Sequence, residues 1–326
     1  MAKEKEDKKI IKEMLDDIIL IYGEMVEGKG EDCFAVSTDS ENGNIALISV
    51  LDGCGGLGAR KYEEFQKHSG AYMASRAVSG GLLDWFHNLA EDDLKDPAKL
   101  TGKLRAYINR NLSICSSQVN SKMLIRGSMV RDFPTTLAAV LFELRDGDIH
   151  AHVFWAGDSR AYLLTPKGLM QISKDDVEDE DALSNLTSDG ALSNVISSDG
   201  EYVIHYKRLN LRQDPIIVLV STDGCFGYVP TPMEFEYVLL NNIVNSKSPK
   251  AEKEKLEAAI KEYAGDDHTM ALASFNFGDF KTLKKAFMPR YKLLKRDYIV
   301  PLENERSDEL TEKLWQEYKK NYEKYL

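Results

Sequence analysis

Ile45-Ala46-Leu47-Ile48-Ser49-Val50-Leu51-Asp52-Gly53-Cys54-Gly55-Gly56 is the stretch on which the reading of this chain turns. Seven nearly unbroken apolar residues are too few for a membrane-crossing helix and suit a strand covered on both faces. The run stops at Asp-Gly, residues that turn a chain. Upstream, residues 32–38 alternate as a second strand, joined to the first by the turn Asp39-Ser40-Glu41-Asn42-Gly43. A buried hairpin therefore ends at Asp52 and leaves a carboxylate on the rim of a sheet.

Outward from this hairpin the pattern is α+β. A further strand is expected at 18–26, and a charged segment precedes it. Beyond Arg60 the period changes: a helix is expected over 62–89, and Leu100, Leu104, Tyr107, Ile108 and Leu112 fall on one face of another. Strand signals then crowd together at 136–144, 150–156, 160–165, 168–172, 202–211, 216–221 and 269–277. Strands grouped on either side of a helical block, without βαβ alternation, predict largely antiparallel sheets. Residues 175–199, acidic and rich in Ser, Asn and Gly, read as a surface flap. The expected division is a charged segment over 1–17, a catalytic domain over 18–277 and a helical extension over 278–326. The extension carries an aromatic stripe through Trp315, Tyr318, Tyr322 and Tyr325, and it is expected to pack on the domain or on a partner.

Composition narrows the function classes. With 53 acidic against 42 basic residues and a net charge of -11, the chain has no general electrostatic footprint for nucleic acid or anionic lipid. That argues against a two-metal nuclease and against a membrane partner. No signal-peptide-like apolar stretch opens the sequence, so a cytoplasmic protein is expected. Cys33, Cys54, Cys115 and Cys225 form no CxxC pair and no zinc spacing.

Four acidic sites share one placement. Glu31-Asp32 opens a strand, Asp52-Gly53 closes one, Asp223-Gly224 closes another and Asp266-Asp267 opens the last. Carboxylates at strand ends converge on one rim of a sandwich, and hard oxygen ligands of this kind bind Mg²⁺ or Mn²⁺. Two such cations a few ångströms apart lower the pKa of a water and neutralise charge on a phosphoryl group. Gly157-Asp158-Ser159-Arg160, between two apolar runs, reads as a hairpin turn in which Asp158 bonds backbone amides. Thr135-Thr136 are expected beneath the site as core positions.

Read in order, Gly30-Glu31-Asp32-Cys33-Phe34-Ala35-Val36, Val50-Leu51-Asp52-Gly53-Cys54-Gly55-Gly56, Thr135-Thr136, Ala156-Gly157-Asp158-Ser159-Arg160, Val220-Ser221-Thr222-Asp223-Gly224 and Asp266-Asp267-His268-Thr269 resemble the type 2C, metal-dependent Ser/Thr protein phosphatases of bacteria. The resemblance spans residues 18–275 and implies an α-β-β-α sandwich. It makes Asp52 the carboxylate bridging two cations, Mn²⁺ or Mg²⁺, and gives the Gly53 carbonyl to one of them. Asp223 and Asp266 hold the other, while Glu31 and Asp32 act through bound waters. A third cation would fall to Asp132 together with Asp223. The implied substrate is a phosphorylated protein.

The sequence departs from the family at three places. Relatives carry an arginine shortly before the Glu-Asp pair, and residues 25–30 contain none, so Lys29 or Arg60 is expected to take the phosphate at some loss of affinity. Cys54 stands where many bacterial members have methionine. There it is either a filler of that space or a thiolate beside the cations, open to oxidation. The third departure, Cys225-Phe226-Gly227-Tyr228, lacks the acid usual after the Asp-Gly pair. Against an active phosphatase stands one alternative: a pseudophosphatase or phosphoprotein-binding module of the same fold.

Overall fold

The computed structural model of the chain describes residues 11–40, 43–119, 131–177 and 192–326. Along the chain, β1 (Leu15–Gly23), β2 (Cys33–Ser37) and β3 (Ile45–Leu51) precede a small hairpin of β4 (Lys61–Tyr62) and β5 (His68–Ser69). Helices α1 (Gly70–His87) and α2 (Pro97–Ser117) follow. Next come β6 (Leu137–Arg145), β7 (Asp148–Ala156), β8 (Arg160–Thr165), β9 (Gly168–Gln171), β10 (His205–Arg212) and β11 (Ile216–Ser221). The short turn of helix α3 (Asp223–Phe226) leads to α4 (Pro232–Asn245), α5 (Pro249–Tyr263) and β12 (His268–Phe275), and the chain closes with α6 (Phe280–Leu294), α7 (Val300–Asn304) and α8 (Asp308–Tyr322).

The strands form two antiparallel five-stranded sheets, ordered β1-β12-β11-β8-β9 and β10-β7-β6-β3-β2. Between them Ala46, Ile48 and Val50 of β3 meet Val218, Val220, Ala271 and Ala273 of the opposing sheet. The alternate residues Ile45, Leu47 and Leu51 point outward under α1 and α2. Both faces of β3 are thus covered, which is why its sequence shows no polar alternation. The other sheet buries its outer face under α4, α5, α6 and α8. The α-β-β-α sandwich expected from the sequence is what the chain forms.

Local differences have local causes. The helix expected from residue 62 begins at Gly70, because 61–69 make the β4–β5 hairpin and Ser69 caps the helix by accepting from the Tyr72 amide at 3.0 Å. β1 stops at Gly23 rather than at 26, where Glu24 turns back to accept the Gly28 amide. Helices α4 and α5, which hydrophobic pattern did not single out, each start with Pro after a hydroxyl cap, Thr231 and Ser248. The expected turn at 39–43 and the flap at 175–199 fall partly outside the described residues.

The C-terminal segment joins the core of the sandwich. Leu283, Phe287, Trp315, Tyr318 and Tyr322 belong to the same buried cluster as Ile19, Leu219 and Met270. A buried polar tie fastens it: Arg290 donates twice to Glu236 of α4, at 2.7 Å each, and the Tyr318 hydroxyl donates to the same carboxylate at 2.7 Å. Glu236→Ala strands the Arg290 charge and should cost about 3–5 kcal/mol in denaturant unfolding, whereas Glu234→Ala, breaking an exposed pair with Arg306, should cost less than about 1 kcal/mol. Equal losses would show that the tie does not hold the segment in place.

Candidate metal centre

Antiparallel register collects the strand ends that matter on one rim. Cys33 pairs with Leu51, Val50 with Ala138, Leu137 with Ala156, Ser221 with both Arg160 and Met270, and Gly23 with His268. The residues just beyond these pairs are Asp32, Asp52, Thr136, Gly157-Asp158, Thr222-Asp223 and Asp266-Asp267. All four acidic sites read from the sequence therefore share one edge of the sandwich.

Asp52 is fixed through its backbone. Its amide donates to the Thr136 hydroxyl at 3.1 Å, and its carbonyl accepts from the Thr136 amide and the Thr135 hydroxyl, both at 2.8 Å. The Thr-Thr pair thus sets the direction of Asp52, in keeping with a supporting role. Close backbone approach explains two glycines. A Cβ on Gly53 would sit 2.7 Å from the Ala71 and Glu31 carbonyl oxygens, and one on Gly224 would sit 1.9 Å from the Asp267 carbonyl oxygen.

The Glu31-Asp32 pair is held as firmly. Asp32, 1% exposed, accepts from the Thr222 and Thr269 hydroxyls at 2.9 and 2.8 Å through one oxygen. Glu31 accepts from Ser69 at the start of α1, where the helix dipole favours negative charge. Asp267 spends both oxygens on backbone, accepting from the Met25 and Glu31 amides at 2.7 Å, and so clamps the 24–31 loop; Asp266 beside it is left exposed on the rim. His268 is buried, with Nδ1 3.3 Å from the Asp266 carbonyl oxygen.

The electrostatics carry the clearest signal. Burial pushes the Asp52 carboxyl well above the usual carboxylate range, and after burial the causes are Asp223, Asp32, Asp158 and Asp266. Asp52 retains some solvent-accessible surface. Asp32 is raised to about 8, first by burial and then by Asp223 and Asp267 against the two threonine hydroxyls. Glu31 is raised by burial and by Asp267 and Asp266. Carboxylates that raise one another in a buried site lack compensating charge, and a divalent cation would supply it.

Asp158 was expected to bond backbone amides in a hairpin turn, but β7 and β8 belong to different sheets, so the segment crosses between them, and of the expected bonds the one to its own amide is made. Its carboxyl is raised to about 8 by burial and then by Asp223, and its Oδ1 is buried without a hydrogen-bond partner among the described residues. An orphaned acid oxygen facing a cluster of carboxylates is a ligand position in waiting. Asp132, expected to share a third cation with Asp223, accepts from the Tyr62 hydroxyl through Oδ1 at 3.4 Å, and its amide donates to Asp199. Among the described residues no three carboxylate, imidazole or thiolate side chains already stand where they could jointly hold one ion. The set suits Mg²⁺ or Mn²⁺, ions that keep much of their water and take few direct protein ligands.

The remaining expected residues are spread more widely. Lys29 is exposed on the 24–30 loop, and the Arg60 guanidinium lies 4.9 Å from the centre of the Tyr62 ring. A guanidinium that the sequence reading overlooked, Arg76 of α1, donates to the Gly30 carbonyl at 2.9 Å and the Glu31 carbonyl at 3.0 Å while lying 3.7 Å from the centre of the Tyr72 ring. It positions the Glu31 loop. In the metal-free protein burial, followed by Asp52 and Asp158, pushes the Cys54 thiol well above its ordinary value. Behind the rim, Arg160 is buried over the Phe226 ring and forms a fork with Asp175 at 2.7–3.1 Å. Asp176 accepts from the Gly157 amide at 3.0 Å and lies 2.8 Å from His205, tying down the start of the flap segment.

This arrangement is the type 2C phosphatase fold, with its acidic rim in the expected place. No protein-family model matches the chain. The chain is 25% identical over 248 residues to a Mycoplasma genitalium protein named as a candidate protein phosphatase, covering 72% of this chain and 86% of that one. Among solved structures it is similar to the Mycobacterium tuberculosis serine/threonine phosphatase PstP, at 20% identity and a TM-score of 0.57, covering 80% of this chain and 99% of that one. It is also similar to the Staphylococcus aureus serine/threonine phosphatase Stp1, at 18% identity and a TM-score of 0.58, covering 80% and 95%. A structure of the PstP catalytic domain in complex with two manganese ions matches at 20% identity and a TM-score of 0.51, covering 79% and 99%. The resemblance read from the motifs therefore holds in sequence and in fold. No helix among the described residues is long and apolar enough to cross a membrane.

The crowding of charge predicts a stability effect. For an acid whose folded pKa is raised, stability is full below the unfolded pKa and is lost as pH rises towards the folded value. Asp52→Asn should therefore raise the melting midpoint of the metal-free protein by about 2–4 °C above neutral pH and remove the further rise that Mn²⁺ gives the wild type. An equal Mn²⁺-induced rise in both proteins would remove Asp52 from the ligand set.

Proposed function

We propose that the chain is a metal-dependent phosphoric monoester hydrolase acting on phosphorylated Ser or Thr of proteins. The observation that carries this reading is the cluster of carboxylates around Asp52, raised by burial and by one another. Asp52, the Gly53 carbonyl, Asp223 and Asp266 would hold two divalent cations, Mn²⁺ or Mg²⁺, with Glu31 and Asp32 reaching them through water and Asp158 available as a further ligand. When bound, such cations lower the pKa of a water to make the nucleophile and screen the charge of the phosphoryl oxygens.

The chain's own residues supply orientation and a closed floor. Thr135 and Thr136 aim Asp52, and Thr222 and Thr269 fix Asp32. Arg76 and Asp267 hold the Glu31 segment from opposite sides. Positioned carboxylates of this kind lose little freedom at the moment of reaction, which is what preorganisation contributes. Lys29 and Arg60 are the proposed phosphate contacts. Neither offers the site a demonstrated bidentate fork, so phosphate binding is proposed to be weaker than in relatives with an arginine before the Glu-Asp pair.

The absence of arginine from residues 25–30 also favours a second reading, a phosphoprotein-binding module that retains metal without turnover. Hydrolysis of p-nitrophenyl phosphate and of a phosphothreonine peptide separates the two. The hydrolase reading expects turnover that requires Mn²⁺ or Mg²⁺ and falls at least about a thousandfold in Asp52→Asn and in Asp223→Asn, the loss of roughly 4 kcal/mol of transition-state stabilisation. Binding of Mn²⁺ and of phosphopeptide without any turnover would establish the binding module instead.

A further inference from the structure

Away from the acidic rim, a carboxylate is buried where packing has no use for it. Glu252, in the first turn of α5, is 3% exposed, and its side chain has no hydrogen-bond partner among the described residues. Helix capping does not account for it, since Ser248 already accepts from the Ala251 amide at 3.2 Å. An acid here would favour the helix dipole, yet an exposed acid would serve as well without desolvation.

Glu252 lines an open cavity of about 80 Å³ between the outer face of the β1-β12-β11 sheet and helices α5 and α6. Asp17 and Ser274 share the wall with it, and Ile19, Leu272 and Leu283 make the apolar part. The other two acids of the lining are already engaged: Asp16 accepts from the Phe277 and Gly278 amides, and Asp279 caps the Thr282 amide. Asp17 bonds its neighbour Ile18 through one oxygen. Burial is the main cause that raises both carboxyls; Asp17 adds to the effect on Glu252, which is brought to about 8, and Asp16 adds to that on Asp17.

We infer that this cavity is a binding site for a small alkylammonium ion, its charged nitrogen between Glu252 and Asp17 and its carbon chain against Ile19, Leu272 and Leu283. An acidic wall disfavours anions. A divalent metal needs about six oxygen ligands and gives up water reluctantly, and two carboxylates with one hydroxyl among apolar walls do not meet that need. An amine on a short aliphatic body matches both parts of the lining. The site is separate from the candidate metal centre. Asp17 lies next to Ile18, whose partner is Ala273, while Gly23 at the other end of β1 pairs with His268 at the rim, about 20 Å away along the strand.

The test is calorimetric titration of the full-length, metal-free protein with n-butylammonium chloride and, separately, with n-butanol. One saturable site is expected, with butylammonium bound at least about tenfold more tightly than butanol and at least about tenfold less tightly by Glu252→Gln. That substitution keeps the shape and leaves a group that cannot ionise, so folding should survive, and far-ultraviolet circular dichroism checks it. Leu283→Trp, which fills the cavity while leaving both acids in place, should abolish binding. Butanol binding as tight as the amine, unchanged binding in Glu252→Gln, or no saturable uptake of the amine would each overturn the assignment. Displacement of the amine by Mn²⁺ from Asp52→Asn protein would overturn it too, by making the cavity a metal site.

Discussion

The repulsion among Asp52, Asp32, Asp223 and Asp158 is the constraint around which the rim of this protein is arranged. Burying like charges together is unfavourable, and the fold tolerates it because β3, β11 and β12 are each paired on both sides, while Asp32, before the edge strand β2, is held by Thr222 and Thr269. β3 lies between β2 and β6 with both faces covered, so its end cannot swing away from its neighbours. Thr135 and Thr136 then hold the Asp52 backbone at the one point where the strand leaves the sheet. The stability given up at the rim is what a neutralising cation would restore.

Carboxylates in this chain divide by the partners they keep. Asp267, Asp175 and Glu236 are met by amides or guanidinium groups and serve as struts: Asp267 for the 24–31 loop, Asp175 for Arg160, Glu236 for α6 and α8. Asp52, Asp32 and Asp158 are surrounded largely by one another and by hydroxyls. Hydroxyls orient a carboxylate without neutralising it. The contrast is what makes these acids the proposed ligands, because a structural acid buried in the same way would be accompanied by its cation.

The outer helical layer gives this rim its backing. The sheet carrying β11 and β12, and hence Asp223 and Asp266, buries its outer face under α4, α5 and α6, and α6 and α8 are tied to α4 through Arg290, Tyr318 and Glu236. The residues after Phe277 therefore pack as part of the wall behind the site. Arg160, stacked over Phe226 beside α3, links the same wall to Asp175 at the start of the flap segment.

Much of this was legible in the sequence. The unbroken apolar run 45–51 required a strand covered on both faces, and apolar periodicity placed α1 and α2, because burial writes its period directly into residue type. The ordered Glu-Asp, Asp-Gly and Asp-Asp sites fixed which acids end strands. What the sequence could not express was register: which strand ends meet depends on pairings between residues far apart in the chain. Asp158 read as a turn residue for that reason, and only the pairing of β7 with β6 and of β8 with β11 brings it to Asp223. The contact of Asp132 with Tyr62, seventy residues away, likewise left no mark along the chain. Arg76 had no local signature, since its partners Gly30 and Glu31 lie some forty-five residues earlier, as their separations of 46 and 45 record. The sequence by itself determined which residues must be buried and where strands must end; the tertiary structure decided which of those ends face one another, because charge repulsion and hydrogen bonding act through space and leave no periodic mark along the chain.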